Sequence, residues 1–145
     1  MKVIIAAAGT AGHINPGIAI ANKIKKEEPN SEIIFIGTNR GLENDLVPRA
    51  GYKLKQIEAY GLGKNLVKNF KTFKGIFQAR KIIKEFKPDI VIGAGGYICG
   101  PVILSAHKLK LPTMLHESNA FPRKSSKNVS RNNRYYINKF WRGKK

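Results

Sequence analysis

The chain has 145 residues, which suffice for one domain with a hydrophobic core and are too few for two ordinary domains. Hydrophobic residues make up 42% of it and charged residues 25%, a globular composition that excludes a wholly disordered protein. The formal net charge is +18, and half of this charge lies in residues 123–145, which contain nine basic residues and no acid. The basic excess is therefore concentrated in a carboxy-terminal tail.

Apolar runs and breaker residues predict alternating strands and helices before this tail. Strands are predicted at residues 2–7, 32–36, 53–58, 89–92 and 112–115, and helices at residues 17–27, 41–50 and 98–108. Hydrophobic residues at helical spacing predict a further helix within residues 60–86. This order favours an α/β fold with an open parallel sheet, in which ligands bind beyond the carboxyl ends of the strands.

Two apolar stretches resemble targeting or membrane segments, but their glycines argue for another interpretation. The first, VIIAAAG, is short and is followed at once by Gly, His and Pro, which favours a strand entering a glycine loop over a signal peptide. The second, residues 90–106, contains four glycines and a proline, which argues against a spanning helix. The lone Cys99 excludes an intramolecular disulfide and is more typical of a small buried residue than of a nucleophile.

The first glycine loop, residues 8–16, joins the first strand to a helix that Pro16 is expected to open. Gly9 and Gly12 allow close backbone approach, and the N–H groups at a helix start bind anions, so a phosphate or diphosphate is the natural ligand. The loop matches neither the Walker A pattern nor GxGxxG. A plain tight turn remains an alternative.

His13 directly follows this loop. Its type of side chain has an ordinary pKa of about 6.5 and is suited to take a proton from a hydroxyl group. A histidine that only orients the loop is an equal alternative. With His107 and His116 it makes a weak case for zinc, and we predict no metal site.

Two further loops follow predicted strands and are expected at the same edge of the sheet. The second glycine loop, residues 93–101, suggests a ligand with extended negative charge, although close packing of helix on sheet explains some of its glycines. The third loop, residues 116–122, offers Glu117 and Asn119 for contacts with a sugar or a base.

Aromatic and basic residues alternate in the segment from Tyr60 to Phe77. A basic amphipathic helix of this kind can lie on anionic lipid, while the alternative is a helix whose apolar face is simply core. We predict core for Ile76, Ile82 and Ile83. We predict an exposed membrane patch formed by Leu62, Leu66, Phe70, Phe73, Lys64, Lys68, Lys71 and Lys74.

Four motifs in order, GTAGHINPG, LENDLVPRAGY, PDIVIGAGGYICGP and LPTMLHESNAFP, resemble glycosyltransferase family 28. The resembling members transfer N-acetylglucosamine from UDP-N-acetylglucosamine to undecaprenyl-pyrophosphoryl-muramyl-pentapeptide in peptidoglycan synthesis. Their fold is GT-B, two Rossmann-like domains facing a cleft, and the resemblance covers only the amino-terminal, acceptor-binding domain. It implies a peripheral enzyme at the cytoplasmic face of the plasma membrane that needs no cofactor.

The resemblance also implies roles for individual residues. His13 and Glu117 are the candidates for the catalytic base, and which of them acts stays open. Donor contacts are implied for Thr10, Ala11, Gly12 and Asn119. Contacts with the acceptor diphosphate are implied for Gly9, Gly12, His13, Gly95, Gly96, Tyr97 and Gly100. The implied partners are the two substrates, an anionic membrane surface and a donor-binding domain.

The chain departs from the family at Ala8, Ala11 and Cys99, and seriously after Pro122. Residues 123–145 have no clear period and are dominated by residue types that AT-rich codons read out of frame would give. We therefore predict an incomplete domain at residues 1–122, and a disordered basic tail at 123–145 produced by truncation or frameshift.

Two other functions stay open at this point. The chain alone would be a non-catalytic module that binds the acceptor or the membrane. The charge of the tail, with Tyr135, Tyr136 and Trp141, also permits non-specific nucleic-acid binding, although no motif supports a specific nucleic-acid role.

Overall fold

A computed structural model describes residues 1–60, 66–117 and 135–138 of the chain. Ten helices and strands lie in these residues. In chain order they are β1 (Lys2–Ala7), α1 (Ala11–Glu27), β2 (Glu32–Gly37), α2 (Glu43–Arg49), β3 (Lys53–Gln56), α3 (Leu66–Phe86), β4 (Ile90–Gly95), α4 (Cys99–Lys108), β5 (Thr113–Glu117) and β6 (Tyr135–Asn138).

The strands form one parallel sheet in the order β3-β2-β1-β4-β5-β6. This confirms the predicted α/β class and the Rossmann-like open sheet. The first, second and fourth strands are buried almost throughout, as expected for parallel strands covered on both faces.

Successive residues of β1 face opposite sides of the sheet and so divide the core into two layers. Ile4 and Ala6 belong to the layer that includes Ile83 of α3 and Val102 of α4. The other layer is built on the alternate β1 residues, and it includes Ile14 and Ala21 of α1 and Val47 of α2. Both faces of the sheet are therefore covered by helices, which leaves its edges and its strand ends for binding.

Helix α1 begins earlier than the sequence predicts. The Thr10 carbonyl accepts hydrogen bonds from the N–H groups of His13 and Ile14, so the helix starts at Ala11 rather than at residue 17. Pro16 lies inside the helix instead of opening it. The first glycine loop is therefore shorter than expected, and His13 lies in the first helical turn.

Strand β6 lies in the segment that was expected to be disordered. Tyr135–Asn138 pairs in parallel with β5, with Leu115 opposite Tyr136 and Glu117 opposite Asn138. The predicted lack of structure after residue 122 is wrong for these four residues. Tyr and Ile favour strands, and the outer edge of β5 offers the hydrogen-bonding groups that a strand needs.

A substitution at Phe35 tests how much the core layer between the sheet and α1 contributes to stability. Its side chain is fully buried in β2 and packs on the Tyr52 ring at a centroid distance of 5.4 Å. We expect Phe35→Ala to lower the free energy of unfolding by about 3–5 kcal/mol, because it leaves a cavity in a packed core. Urea denaturation followed by circular dichroism measures the loss.

The matched control is Phe77→Ala on α3, where the ring is 70% exposed. We expect its effect to stay within about 0.5 kcal/mol. Equal losses for the two variants would contradict this assignment of the core.

Candidate functional site

The candidate site lies beyond the carboxyl ends of β1 and β4. From β1 the chain first builds β2 and β3 on one side and then returns to build β4 on the other side. Neighbouring strands whose connections leave in opposite directions open a crevice, and ligands of open α/β sheets bind there. Both glycine loops begin at this crevice.

The two glycine loops touch each other. Gly96 has a φ of +86°, and a Cβ there would lie 2.4 Å from the Ala8 carbonyl oxygen. Just before this contact the register of β1 against β4 shifts, so that Ala6 pairs with Gly93 and Ala7 with Gly95. The second loop thereby approaches the first more closely than any side chain on Gly96 would allow.

His13 lies at the junction of the loops. A Cβ on Gly95, whose φ is +136°, would lie 2.3 Å from the His13 Nδ1 atom. This nitrogen is buried, whereas the residue as a whole is half-buried. The accessible surface of His13 therefore lies elsewhere on the residue.

The remaining predicted residues of the first loop lie around the start of α1. Thr10 is the exposed residue before the helix, and its side chain makes no capping hydrogen bond. Ala11 and Gly12 form the start of the helix, and Gly9 precedes Thr10 with a φ of +97°. Because α1 begins directly after the carboxyl end of β1, the positive end of its dipole lies at the crevice and favours an anion.

In the second loop, the Cys99 side chain contacts the backbone of Gly95. The Gly95 N–H donates to the Cys99 Sγ at 3.3 Å, and the thiol donates to the Ala6 carbonyl at 3.5 Å. Cys99 is buried, which confirms its prediction as a small buried residue. Tyr97 is half-buried against the core, and Gly100 is the second residue of α4.

The third loop is described only at its start. Glu117 is the last residue of β5, and Asn119 lies outside the described residues. His116 precedes Glu117, and its buried Nδ1 has no hydrogen-bond partner within the described part of the chain. The parallel sheet places the end of β5 beside that of β4, but contacts of Glu117 or Asn119 with His13 stay a prediction.

Helix α3 carries the described part of the predicted membrane patch. Phe73 is 60% exposed, as expected, and Phe77, one turn further along, is 70% exposed. Leu66, Lys68 and Phe70 lie in the first two turns of the helix. Leu62 and Lys64 lie outside the described residues.

Two lysines of this patch are differently engaged. The Lys71 ammonium lies 5.6 Å from the centre of the Tyr60 ring. The Lys74 ammonium donates to the Glu58 carboxylate at 2.6 Å, and this hydrogen bond lowers the pKa of Glu58. Glu58 therefore compensates part of the Lys74 charge, so Lys74 attracts an anionic surface less strongly than an unpaired lysine would.

The predicted core residues of α3 fit the two-layer core. Ile83 is buried, while Ile82 packs partly buried against the same layer and Ile76 is half-buried. Phe77 ends the predicted amphipathic segment, and it is exposed on the same face as Phe73, four residues before it. Sequence reasoning missed Glu43, a fully buried acid whose contacts only the fold reveals.

Metal-binding clusters and membrane-spanning helices are both absent from the described residues. Within residues 1–60, 66–117 and 135–138, no group of three or more His, Cys, Asp or Glu side chains is placed to hold a metal ion. Among the helices of the described ranges, none combines the length and the apolar composition needed to cross a membrane.

The fold and the paired glycine loops define a Rossmann-like domain of the glycosyltransferase type. Residues 3–135 match the glycosyltransferase family 28 N-terminal domain. The chain therefore belongs to glycosyltransferase family 28 and carries its amino-terminal domain, half of a GT-B fold. The match continues 13 residues past the boundary predicted at residue 122 and reaches the first residue of β6.

Close relatives carry a full descriptive name. An Acetivibrio thermocellus protein is 54% identical over 136 residues, and a Clostridioides difficile protein is 48% identical over the same length. Both are called UDP-N-acetylglucosamine--N-acetylmuramyl-(pentapeptide) pyrophosphoryl-undecaprenol N-acetylglucosamine transferase. The alignments cover 90% of this chain but only 37% and 33% of the relatives, so the chain spans about a third of their length.

Solved structures agree. The crystal structure of Acinetobacter baumannii MurG matches 99% of this chain and 43% of its own, with a TM-score of 0.86 and 31% identity. A UDP-GlcNAc 2-epimerase from Neisseria meningitidis matches 95% of this chain and 40% of its own, with a TM-score of 0.71 and 17% identity. The second likeness shows the shared fold alone.

Gly96→Ala tests the contact between the loops. The new methyl group would collide with the Ala8 carbonyl in a backbone conformation that L residues rarely adopt. We expect a loss of at least about 1–2 kcal/mol in the free energy of unfolding, measured by urea denaturation.

Gly100→Ala is the matched control, because a Cβ there would meet no atom within 4 Å and the residue lies in a helix. It should be neutral or stabilising by up to about 1 kcal/mol. Tolerance of alanine at Gly96 would show that the loops do not need their close contact.

Proposed function

We propose that this chain forms the acceptor-binding half of an N-acetylglucosaminyltransferase. The reaction is transfer of N-acetylglucosamine from UDP-N-acetylglucosamine to undecaprenyl-pyrophosphoryl-N-acetylmuramyl-pentapeptide, as in the names of the relatives. The observation that carries the proposal is the contact of the two glycine loops around His13 at the crevice of the sheet. Two anion-binding loops side by side suit a diphosphate better than a single phosphate.

In this proposal the backbone N–H groups of both loops hold the acceptor diphosphate. Gly9, Gly12, Gly95, Gly96 and Gly100 permit the close approach, and Tyr97 borders it. With the diphosphate fixed, the muramyl 4-hydroxyl is presented for attack on the anomeric carbon of the donor. A base removes the hydroxyl proton, UDP leaves, and the configuration inverts without a covalent enzyme intermediate.

His13 is the proposed base, because its ring lies at the junction of the loops, against Gly95. Glu117 at the end of β5 is the second candidate. The donor is proposed to contact Thr10, Ala11, Gly12 and Asn119. The rest of the donor site is proposed to lie in a donor-binding domain within the two thirds of the relatives that this chain does not match.

The isolated chain is proposed to bind the acceptor without turning it over. Much of the rate of a transferase comes from holding donor and acceptor in one geometry, which needs both sides of the cleft. Purified residues 1–145 should therefore show no transfer with both substrates present. Turnover by the chain alone would overturn this division of roles.

We also propose that α3 docks the protein on the cytoplasmic face of the membrane, where the lipid anchor of the acceptor lies. Phe73 and Phe77 are too exposed for core residues, and Arg80 lies beside both of them. Lys81 and Lys84 lie beside Phe77, and Lys108 lies beside the groove that both rings line. The apolar rings would enter the interface while lysines and Arg80 attract anionic headgroups at roughly 1 kcal/mol each. Binding to nucleic acid through the tail has no comparable support.

His13→Ala is expected to lower kcat by about 10²–10⁴-fold, the usual cost of losing a general base, with little change in the KM for the donor. The assay uses a chimaera in which residues 1–135 replace the matching segment of the Acetivibrio thermocellus relative. Initial rates with a lipid-linked acceptor give both constants.

His107→Ala is the control, since His107 is exposed on α4 away from the crevice. It should leave both constants unchanged. If His13→Ala retains its kcat while remaining folded, His13 only orients the loop and Glu117 becomes the proposed base.

The double variant Phe73→Ser, Phe77→Ser tests membrane docking of the chain. Each ring withdrawn from the interface forfeits about 1.5–3 kcal/mol, so we expect binding at high salt to fall at least tenfold. Co-sedimentation with phosphatidylglycerol-containing vesicles at low and high salt measures it. High salt screens the basic tail, which all variants share.

Leu42→Ser is the matched control, because Leu42 is 53% exposed at the start of α2. It should leave vesicle binding unchanged. A double variant that stays folded and still binds at high salt would place the docking surface elsewhere.

A further inference from the structure

Glu43, the first residue of α2, is fully buried although it carries a charged side chain. Burying a carboxylate is costly unless hydrogen bonds replace its water. Three donors do so here: the Gly9 N–H, the Thr38 N–H and the Thr38 hydroxyl. The side chain is thus tied to the ends of two neighbouring strands.

The two carboxylate oxygens have separate partners. Oε1 accepts from the Thr38 N–H at 2.9 Å and from the Thr38 hydroxyl at 2.8 Å, which holds α2 to the end of β2. Oε2 accepts from the Gly9 N–H at 3.0 Å, which holds the first glycine loop after β1. The Gly9 carbonyl in turn accepts from the Leu42 N–H at 3.3 Å. Both backbone polar groups of Gly9 are therefore bound by consecutive residues at the start of α2.

The Glu43 side chain fits here only because two neighbouring residues, Gly37 and Gly41, have no side chain. A Cβ on Gly41 would lie 1.9 Å from Oε2, and one on Gly37 would lie 2.7 Å from the Glu43 Cγ. The Asn44 amide continues the network by donating to the carbonyls of Thr38 and Gly41, and Gln56 at the end of β3 donates to Asn44. The ends of three adjacent strands are thus linked through the first two residues of α2.

We propose that Glu43 is a positioning residue that fixes the Gly9 peptide so that the following N–H groups face the diphosphate. The proposal rests on the proposed function, in which this loop binds the acceptor diphosphate. By accepting from the Gly9 N–H, the carboxylate fixes the plane of the Ala8–Gly9 peptide just before the start of α1.

The direction in which anion affinity changes when the Glu43 charge is removed distinguishes this positioning role from a purely electrostatic one. A carboxylate behind an anion site repels the anion, so removing its charge alone would strengthen binding. Glu43→Gln keeps the shape of the side chain but turns an amide N–H₂ toward one set of donors, so that it no longer holds both. If positioning dominates, binding of an anion weakens instead.

The experiment uses the chain of 145 residues with inorganic pyrophosphate as the probe. Isothermal titration gives the dissociation constant, and NMR gives the amide exchange rates of Gly9, Thr10 and Ala11. We expect Glu43→Gln to weaken pyrophosphate binding about tenfold and to speed exchange in these residues at least tenfold, since hydrogen bonds to charged groups are among the stronger ones.

Two further variants leave the charge in place. A Cβ on Gly41 would lie 1.9 Å from Oε2 and 2.9 Å from Oε1, so Gly41→Ala displaces the whole carboxylate and should reproduce both effects. Thr38→Val removes only the hydroxyl bond to Oε1 and is the matched control. It should lower stability but leave exchange at Gly9 and pyrophosphate binding unchanged. If Glu43→Gln does not fold, the comparison of Gly41→Ala with Thr38→Val decides.

Three results would overturn the positioning role: unchanged exchange and binding in Glu43→Gln, tighter binding in Glu43→Gln, or the same losses in Thr38→Val. Failure of the proposed function looks different. In that case the unsubstituted chain binds no pyrophosphate, yet the exchange rates still separate Glu43→Gln and Gly41→Ala from Thr38→Val.

Discussion

The close approach of Gly96 to the Ala8 carbonyl is the constraint on which the rest of the site depends. It brings two strand-to-helix turns into contact across the β1–β4 crevice, and it does so where the register of these strands shifts. His13 is held at the same junction because Gly95 has no side chain to displace its ring. A larger residue at either glycine would separate the loops, and the proposed diphosphate site would no longer be one continuous surface.

Strands β1, β2 and β4 were predictable from the sequence because they are continuous apolar runs. The start of α1 was not, since Gly, Asn and Pro in residues 9–16 disfavour a helix locally and the packing of Ile14 and Gly17 against the sheet overrides them. Strand β6 was missed because its strand-favouring Tyr and Ile residues lie in a basic segment with no clear period, and the strand depends on pairing with the edge of β5. Glu43 was missed because polar residues such as Glu43, Asn44 and Asp45 in a first helical turn are typical of a helix start that is exposed to water.

In helix α3, the spacing of apolar residues predicts which face is buried, but it does not predict which side chains pair. Its spacing correctly divided a buried face with Ile83 from an exposed one with Phe73. Spacing could not reveal that Lys74 is paired with Glu58, because these residues are distant in sequence and meet only when α3 packs on the segment after β3. That packing is close: a Cβ on Gly75 would lie 1.9 Å from the Glu58 carbonyl oxygen. The contact sets the position of the exposed rings relative to the sheet.

The segment after β3 also connects the two proposed surfaces. The Arg40 guanidinium donates to the Ala59 carbonyl and stacks 3.7 Å from the centre of the Tyr60 ring, while Thr38, Gly41 and Asn44 surround or extend the Glu43 network. Residues 38–44 therefore contact the first glycine loop on one side and the support of α3 on the other. The proposed acceptor carries its diphosphate and its lipid anchor on one molecule, so this connection would hold the proposed diphosphate loop and the proposed docking helix at a fixed separation. Within residues 38–44, the buried Glu43 carboxylate contacts the loop, and the exposed Arg40 contacts Ala59 and Tyr60, next to the Glu58 carbonyl on which α3 packs.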